Sequence, residues 1–340
     1  MLKKVIACAL ALAVLALAGG CAQQNQKYSV VYWDVFDTVV TITGYASSQA
    51  QFDQAAEAAH AELVRLDALF DCYEEHPGVN GVWALNHAQG QPLKVDGELI
   101  DLIDFCAQYY ETARRRVNIA LGRVLAVWSR YRQEGVALPG MDELSEAARD
   151  ADPGLIEIDR EAGAVRLAGD FALDLGAVGK GYAVERAAQL LDTLMPSYLI
   201  DAGGNIRAGT APLDGRSGWS VGLLDPVSAR SGGQDILSVV EVAGLCVVTS
   251  GGYQRYYTVD GVDYHHIIDP DTLMPGGDFL QVSVVARDSA LADYLSTALF
   301  LMDYESGLEL VDSLNEVGAI WVTEDGQMRA SAFAAAQMKN

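Results

Sequence analysis

The sequence is poor in basic residues for its length. Its 340 residues include 23 lysines and arginines against 46 aspartates and glutamates, which gives a formal net charge of −23 at pH 7. A nucleic-acid-binding surface needs clustered positive charge, so this composition argues against nucleic acid as a partner. The global charge also repels an anionic substrate, which must therefore be met by a local lysine or a bound metal ion.

Cysteine is also scarce, with five residues in the chain. Their spacing matches no zinc-binding pattern, and the chain contains no Gly-x-Ser-x-Gly segment that would support a serine hydrolase. Cys8 and Cys21 lie near the N-terminus. The other three are an odd number, so at most one disulfide can form among them in an oxidising compartment. We expect them mainly as small buried hydrophobic residues: Cys72, Cys106 and Cys246.

The first residues have the composition of an export signal. Lys3 and Lys4 form a positive start, and an apolar stretch follows over 5–17. This stretch is shorter than the roughly 20 residues that a membrane-spanning helix needs. Small residues then precede Cys21, a pattern that resembles the lipobox of bacterial lipoproteins. We therefore predict that Cys21 carries lipid; an ordinary secretory signal with an incidental cysteine is the alternative.

These features divide the chain into three parts. We predict a lipoprotein signal peptide over 1–20, a polar tether over 21–29 and one folded domain over 30–335. Because 51% of the residues are hydrophobic, the third part can bury a substantial core. We expect the protein outside the cytoplasm, anchored by lipid to the cell membrane or to a periplasmic membrane face.

Residue periodicity predicts a mixture of helices and strands. Ala and Leu at helical spacing predict helices over 49–70, 97–115, 141–150, 179–194 and 288–302. Alternating Val, Thr and aromatic residues predict strands or hairpins over 30–45, 156–167, 197–201, 219–224, 237–242, 246–250, 256–259, 280–286, 318–323 and 328–332. Turn signals predict a loop over 72–87. The pattern indicates an α+β fold, with helices packed on largely antiparallel sheets.

The segment 174–182 places three glycines within six residues, directly before a predicted helix. Glycines let the backbone come close to a ligand, and the first N–H groups of a helix attract anions. Lys180 adds a point charge that suits phosphate. The spacing of a Walker A loop is absent. The segment therefore indicates a phosphate site, and a tight loop needed only for packing is the alternative.

Asp293 and Thr297 are four residues apart in a predicted helix, so they share one face. Their oxygens are hard ligands that suit Mg²⁺, which takes one or two carboxylates together with waters and substrate phosphates. A backbone carbonyl such as that of Ala177 could add a ligand. The competing interpretation is an aspartate favoured by the helix dipole beside an incidental threonine.

Two adjacent histidines lie within the segment 264–270. A histidine of near-neutral pKa can accept a proton from an attacking hydroxyl, and His266 is the candidate, with Asp269 to orient it or to accept hydrogen bonds. Zinc is disfavoured, because no further Cys or His has the spacing of a structural site. The segment 201–206 follows apolar residues and predicts either a strand that ends at the site or a plain hairpin turn.

Together these segments resemble the ApbE family of FAD:protein FMN transferases. The resemblance extends over roughly 33–323, with the pieces in the family's order: 36–42, 70–73, 85–86, 174–182, 201–207, 249–253, 265–270 and 292–298. Each piece alone is weak, whereas the set in register is specific. The chain departs from the family at Asp37 and Leu273, which replace glycine, at Phe36, which replaces methionine, and at Asn118, which replaces aspartate.

The resemblance implies an α+β fold of two interlocked lobes, related to the T-fold, with FAD between the lobes. It implies Mg²⁺ as a cofactor and FAD as a substrate. The implied metal ligands are Ala177, Asp293, Ser296 and Thr297. The implied flavin contacts are Phe36, Tyr73, Arg116, Val117, Asn118, Asp174, Lys180 and Ile268. His266 matches the family's histidine that helps to activate the acceptor, and residues 30–335 would form the transferase domain.

The implied activity is Mg²⁺-dependent transfer of FMN from FAD to a Ser or Thr hydroxyl of an acceptor protein, with release of AMP. The implied partner is an acceptor flavoprotein subunit of a membrane-bound redox complex, because a lipid anchor would keep both proteins on one membrane. Two alternatives use the same site: an FAD pyrophosphatase in which water replaces the acceptor, and a non-catalytic FAD-binding lipoprotein. The presence of both Asp293 and Thr297 argues against the second.

Overall fold

The structure, a computed structural model, describes residues 25–339. The predicted signal peptide, Cys21 with its predicted lipid and the first residues of the predicted tether lie outside the described residues. No helix within 25–339 has the length and hydropathy needed to cross a bilayer. The predicted α+β class with largely antiparallel sheets is confirmed.

Fifteen strands are found among the described residues. They are β1 (Gln26–Val35), β2 (Thr38–Ala46), β3 (Leu93–Lys94), β4 (Ile156–Asp159), β5 (Ala164–Leu167), β6 (Tyr198–Ala202), β7 (Asn205–Ala208), β8 (Trp219–Leu224), β9 (Ile236–Val242), β10 (Cys246–Gly251), β11 (Tyr256–Val259), β12 (Val262–His265), β13 (Phe279–Ala286), β14 (Gly318–Thr323) and β15 (Met328–Ala330).

Ten α-helices accompany the strands in the same part of the chain. They are α1 (Gln49–Phe70), α2 (Val82–Asn86), α3 (Gly97–Tyr110), α4 (Gly122–Glu134), α5 (Met141–Ala147), α6 (Gly179–Leu194), α7 (Pro226–Arg230), α8 (Ser289–Phe300), α9 (Tyr304–Ser313) and α10 (Ala332–Ala335).

The main sheet has eight strands in the order β1-β2-β6-β7-β10-β13-β14-β15, and every neighbouring pair is antiparallel. Side chains alternate between its faces, so one strand serves two cores. Val284 of β13 belongs to the large core that includes α1, α6 and α8. The next residue, Val285, belongs to a second core under the β8–β9 hairpin. The helices and this hairpin therefore cover opposite faces of the sheet.

The predicted helices over 49–70 and 179–194 are confirmed with the same bounds. The helix predicted over 97–115 ends at Tyr110, and Arg114 and Arg115 adopt positive φ angles of 51° and 61°, which no helix can continue. The predicted loop over 72–87 contains the short helix α2. The periodicity does not predict α4, because it has few buried residues that would indicate a helix, such as Val124 and Trp128, and several arginines among them.

The three cysteines of the described part are free. Cys106 and Cys246 are buried, as expected, and the thiol of Cys246 donates to the backbone carbonyl of Ala286 at 3.2 Å. Cys72 is half-buried. Within residues 25–339 the optional disulfide is therefore not formed.

One end of the main sheet gathers the turns that will matter for function. The β1–β2 turn consists of Phe36 and Asp37, both at positive φ, and the β6–β7 turn consists of Gly203 and Gly204, also at positive φ. Such two-residue turns match the twist of antiparallel strands. A Cβ on Gly203 would lie 2.0 Å from Oγ1 of Thr38, so the two turns touch. The C-terminal end of β10 lies at this same end.

Candidate active site

Lys180 is the second residue of α6, at the end of a tight loop. Leu175 and Val178 anchor the loop in the core, and the N–H of Gly179 donates to the carbonyl of Leu175 at 2.7 Å. The carboxylate of Asp174 accepts the N–H of Gly176 at 2.7 Å, which closes the loop before the helix. This arrangement places the Lys180 ammonium group at the start of α6, where the helix dipole also favours an anion.

Helix α8 packs against the start of α6 at Gly181. A Cβ on Gly181 would lie 2.4 Å from Cβ of Asp293 and 2.4 Å from the carbonyl oxygen of Ser289, so only glycine fits. The N–H of Gly181 donates to Oδ2 of Asp293 at 2.7 Å. Burial raises the pKa of Asp293, whereas the nearby charge of Lys180 lowers it. The glycine thus sets a buried carboxylate beside the lysine.

Thr297 lies one turn after Asp293 on α8, as the four-residue spacing predicts. The hydroxyl of Ser250, at the end of β10, lies 2.7 Å from the hydroxyl of Ser296 and 3.4 Å from that of Thr297. Ser296 is fully buried and donates to the carbonyl of Asp293 at 2.9 Å. Ser296 therefore supports its own helix and β10, and Thr297, which is half-buried, is the more accessible hydroxyl.

The donor chemistry of this corner fits Mg²⁺. Oδ1 of Asp293 receives no hydrogen bond from the described residues, and no side-chain cation within residues 25–339 forms an ion pair with this carboxylate. Thr297 and the carbonyl of Ala177 offer further hard oxygens. Among the described residues no cluster of three or more His, Cys, Asp or Glu could hold a metal ion. A site with one carboxylate instead suits an ion that keeps waters and binds substrate phosphates.

Asp174 and Tyr73 are joined on the other side of the glycine loop. Oδ2 of Asp174 accepts the Tyr73 hydroxyl at 3.3 Å and the Cys72 thiol at 3.6 Å. Burial raises the pKa of Asp174, and these hydrogen bonds partly oppose the rise. The Asp174 charge, followed by burial, raises the pKa of Tyr73. The residue is nevertheless 66% exposed, so its aromatic ring is accessible to a planar ligand.

His266 lies half-buried after β12. Its Nδ1 lies 3.2 Å from the carbonyl oxygen of Arg255. A carbonyl only accepts, so this nitrogen carries the proton and Nε2 is the free acceptor. Burial lowers the pKa of His266 to about 4, although the hydrogen bond to Arg255 acts in the opposite direction. The imidazole is therefore neutral at pH 7 and able to accept a proton.

Asp269 is bound to its own loop and to Arg116. Its Oδ1 accepts the N–H groups of Asp271 and Thr272 at 2.7 and 3.2 Å. Its Oδ2 accepts Nη1 of Arg116 at 3.0 Å. Asp269 therefore orders the loop after Ile268, which is itself buried. Among the described residues it forms no hydrogen bond with His266. The guanidinium of Arg116 keeps one buried donor, Nε, without a partner in the described part of the chain.

The two residues after Arg116 stabilise the loop in which it lies. Val117 is buried, and its carbonyl accepts the hydroxyl of Tyr294 at 3.5 Å. The amide of Asn118 donates to the carbonyl of Ala151 at 2.8 Å and accepts the N–H of Ala120 at 2.9 Å. Both polar ends of the Asn118 side chain are thus occupied, and Arg116 is the residue of this segment with a free donor.

Phe36 lies at the β1–β2 turn with a φ angle of 52°, which is uncommon for a residue with a Cβ. Burial raises the pKa of Asp67 on α1, whereas the nearby backbone of Phe36 lowers it. The interaction between Asp67 and this backbone therefore stabilises a strained turn, and such turns are typical of functional loops.

The comparison with known proteins agrees with this geometry. The family model described as "ApbE family" matches residues 36–321. The chain belongs to the ApbE family. An FAD:protein FMN transferase of Treponema pallidum is 33% identical over 351 residues, covering 90% of this chain and 95% of the relative. One from Klebsiella pneumoniae is 30% identical over 270 residues, covering 77% and 82%. The predicted family is thereby confirmed.

A solved structure supports the same assignment of fold. The crystal structure of the ApbE protein from Thermotoga maritima superposes with a TM-score of 0.83 at 27% identity, covering 93% of this chain and 100% of that one. The family match begins and ends inside the domain predicted over 30–335. The ApbE fold therefore accounts for nearly all of the described chain.

Two residues of this ApbE site were not singled out from the sequence. Asp201 is the penultimate residue of β6, close to the Gly203 turn, and the charge of Lys180 lowers its pKa against the larger, opposing effect of burial. Ser250 contacts the hydroxyls of α8. Asp201 could have been predicted from its position in the Asp-Ala-Gly-Gly-Asn segment, which forms a hairpin turn and also belongs to the site. Only the pairing of β10 with its neighbours locates Ser250.

The histidine next to His266 carries a testable pH dependence. Burial lowers the pKa of His265 to about 4 from an ordinary 6.5, and its Nδ1 accepts the N–H of Ile267 at 3.2 Å. Between these values the unfolded chain binds a proton that the folded chain does not, so folding loses stability as the pH falls from 6.5 towards 4. Because His265 is partly exposed, we expect a loss of about 1–2 kcal/mol from this group.

Urea unfolding at about pH 7 and about pH 4.5 measures this contribution. Wild type should lose more unfolding free energy on acidification than His265→Gln does, by the amount stated above. Equal losses in the two proteins would show that His265 is not held neutral by the fold.

Proposed function

We propose that this ApbE-family protein is an enzyme that transfers FMN from FAD to a Ser or Thr hydroxyl of an acceptor protein and releases AMP. The observation that carries the proposal is the contact between α6 and α8 at Gly181. It brings the Asp293 carboxylate to the helix start, where Lys180 can receive a diphosphate. The Treponema and Klebsiella relatives, both named FAD:protein FMN transferase, support the same activity.

The chain's own groups bind and orient the diphosphate. Lys180 supplies a point charge, and the positive end of the α6 helix dipole favours the negative phosphate oxygens. The oxygen of the acceptor hydroxyl forms a bond to the FMN phosphorus, and the bond from that phosphorus to the bridging oxygen breaks. AMP leaves with the bridging oxygen and its electron pair. Phosphoryl transfer of this kind depends on alignment and charge stabilisation more than on covalent help from the protein.

A Mg²⁺ ion held by Asp293, Thr297 and the Ala177 carbonyl would offset negative charge on the diphosphate and on departing AMP. Lys180 acts on the same charge from the helix start. This arrangement resolves the conflict between a chain of net charge −23 and an anionic substrate, because positive charge is supplied locally.

The hydroxyl proton is received by a neutral base in the proposed mechanism. Nε2 of His266 is the candidate, because Nδ1 is bound to the Arg255 carbonyl and the ring is neutral at pH 7. Asp269 acts as a positioning residue, since its oxygens hold the loop and Arg116. With a pKa of about 4, His266 is a weaker base than an ordinary imidazole, so its part in catalysis depends on its position beside the acceptor hydroxyl.

The flavin half of FAD is assigned to the surface between the glycine loop and the Arg116 segment. Tyr73 offers an accessible ring, Arg116 offers a free donor and Ile268 an apolar contact. Phe36 stands at the strained turn held by Asp67. Asn118 contributes through the shape of its loop in this proposal, since its amide is already occupied.

Lys180→Gln should lower kcat/KM for FAD by about 100-fold, because it removes one charge that meets the diphosphate. The fold should be unaffected, since in the described part of the chain Lys180 forms no ion pair or hydrogen bond with another residue. Steady-state kinetics with varied FAD give the value. Lys27→Gln, an exposed lysine on β1, is the matched control and should behave as wild type. A Lys180→Gln enzyme of wild-type efficiency would contradict the diphosphate assignment.

Export and anchoring remain part of the proposal and rest on the N-terminal sequence. Cys21 would carry lipid at an extracytoplasmic membrane face, where the acceptor would be a subunit of a membrane-bound redox complex. Labelled fatty acid should enter the wild-type chain and not Cys21→Ser. Equal labelling of wild type and Cys21→Ser would contradict the lipid anchor at Cys21.

The activity itself is tested by mass. Mature protein, FAD, Mg²⁺ and an acceptor carrying threonine should yield an acceptor heavier by one FMN. Intact FAD and an unchanged acceptor with every divalent metal tried would overturn the transferase proposal.

A further inference from the structure

A groove lies on the face of the main sheet opposite α6 and α8. Its floor crosses β2, β6, β7 and β10, and its wall is the strand β8. We name it the β8 groove; the residues that line it include Val39, Asp201, Gly204, Thr249 and Leu224. Its volume is about 350 Å³, at the lower edge of known ligand pockets. None of the implied flavin or metal residues lines it.

The lining chemistry disfavours a phosphate-bearing occupant. Asp201 is the one charged residue in the lining, and no lysine, arginine or histidine is present there. The remaining polar groups are neutral, such as the Thr249 hydroxyl and the Gln254 amide, and most other lining residues are apolar or glycine. The groove therefore suits a neutral ligand with small apolar groups, and FAD would be repelled.

The wall of the groove is an open strand edge. Strand β9 is flanked on both sides, by β8 and by the C-terminal residues, since Lys339 N–H donates to the Val239 carbonyl at 2.8 Å. Within residues 25–339 no strand pairs with the other edge of β8. Four consecutive residues, 221–224, line the groove although their side chains alternate in direction, so the groove runs along the strand edge.

One end of the groove reaches the active site. Gly204 lies in the β6–β7 turn that touches the β1–β2 turn, and Asp201 is close enough to Lys180 for the lysine charge to lower its pKa. A chain lying in the groove would therefore emerge beside the start of α6. The groove is continuous with the site without being part of the flavin surface.

We infer that the β8 groove binds an extended segment of the acceptor protein, which adds a strand to the open edge of β8 and directs its hydroxyl towards Lys180. Only a polypeptide offers the alternating N–H and C=O groups that such an edge recognises. Alternate side chains of the segment would enter the apolar floor. The inference rests on the proposed function, because it names how that reaction's protein substrate is held.

The test uses Leu224→Glu and Val39→Glu in the full mature chain, which place a charge on the wall and on the floor of the groove. Both residues are partly exposed, at 37% and 38%, so the fold should tolerate the change. Val227→Glu, exposed on α7 outside the groove, is the matched control. The probe is a pool of ten-residue peptides with a central threonine among Gly, Ala, Ser and Val.

Both groove variants should raise KM for the peptide pool at least tenfold, while the FAD dissociation constant and the control variant stay unchanged. Wild-type KM values in both groove variants would overturn the inference.

Hydrogen exchange separates docking from chemistry. The threonine pool should slow hydrogen exchange at the amides of 221–224. A pool whose central residue is valine should slow it to the same extent, although only the threonine pool can be flavinylated. Slower exchange with the threonine pool, without flavin transfer to it, would support peptide binding in the groove and contradict the transferase proposal. Unchanged exchange with both pools at saturation would remove the groove assignment even where transfer occurs.

Discussion

Asp293→Asn should reduce FMN transfer by at least about 1,000-fold while leaving the protein as stable as wild type or more stable. The activity falls because the variant lacks the single carboxylate of the corner that we propose to bind magnesium, and charge stabilisation of this kind is commonly the largest contribution to catalysis. Stability does not fall, because burial already disfavours the charged form of Asp293. The asparagine oxygen can still accept the Gly181 N–H. Transfer kinetics and thermal unfolding together measure both effects.

A neighbouring aspartate supplies the control for this variant. Asp312 is exposed on α9, and Asp312→Asn should change neither quantity. Full activity of Asp293→Asn would contradict the metal assignment. A large loss of stability would instead show that the carboxylate is structural, and lost activity could then not be ascribed to the metal.

Gly181→Ala should destabilise the protein by about 1–3 kcal/mol and lower the transfer rate by about 100-fold. The added methyl group would lie 2.4 Å from the Ser289 carbonyl oxygen and from Cβ of Asp293. Backbone atoms cannot rotate away, so α6 and α8 must separate. That separation moves Asp293 from Lys180, and small misplacements of catalytic groups are costly.

Gly97→Ala is the matched control for Gly181→Ala. Gly97 is the first residue of α3, and a Cβ there would meet no atom within 4 Å. Since alanine restricts the unfolded chain, this variant should be unchanged or slightly more stable. Denaturant unfolding and transfer rates of both variants suffice. Equal effects at the two positions would show that helix contact at Gly181 does not shape the site.

Much of the fold follows from local sequence patterns. The helix over 49–70 has apolar residues at regular spacing and a serine cap, since Ser48 accepts the N–H of Gln51 at 3.2 Å. Strand β8 alternates buried and exposed residues along its whole length. Such patterns depend on neighbours in sequence, so they are legible without tertiary contacts.

The strand order and the site contacts needed the folded chain. Ser250 meets Ser296 across 46 positions, and no local rule brings them together. The left-handed turns were equally hidden, because Asp37 and Leu273 carry positive φ angles of 49° and 60° although neither is a glycine. The fold therefore imposes this geometry on residues that disfavour it, at a cost of about 1–2 kcal/mol each.

The predicted site residues divide into two kinds once contacts are known. Asp174, Lys180, Asp293 and Thr297 meet around the glycine loop and the start of α6. Asp269 and Asn118 use their polar atoms to order loops. A sequence motif marks both kinds equally, because it records that a residue type is required and not which neighbour requires it.

Parallel measurement of AMP, acceptor-bound FMN and free FMN in one reaction tests the central claim most directly. Mature protein, FAD and Mg²⁺ are mixed with the threonine peptide pool, and the three products are counted over time. The account predicts equal amounts of AMP and acceptor-bound FMN, with no free FMN above the level without enzyme. AMP matched by free FMN, with an unmodified acceptor, would contradict it.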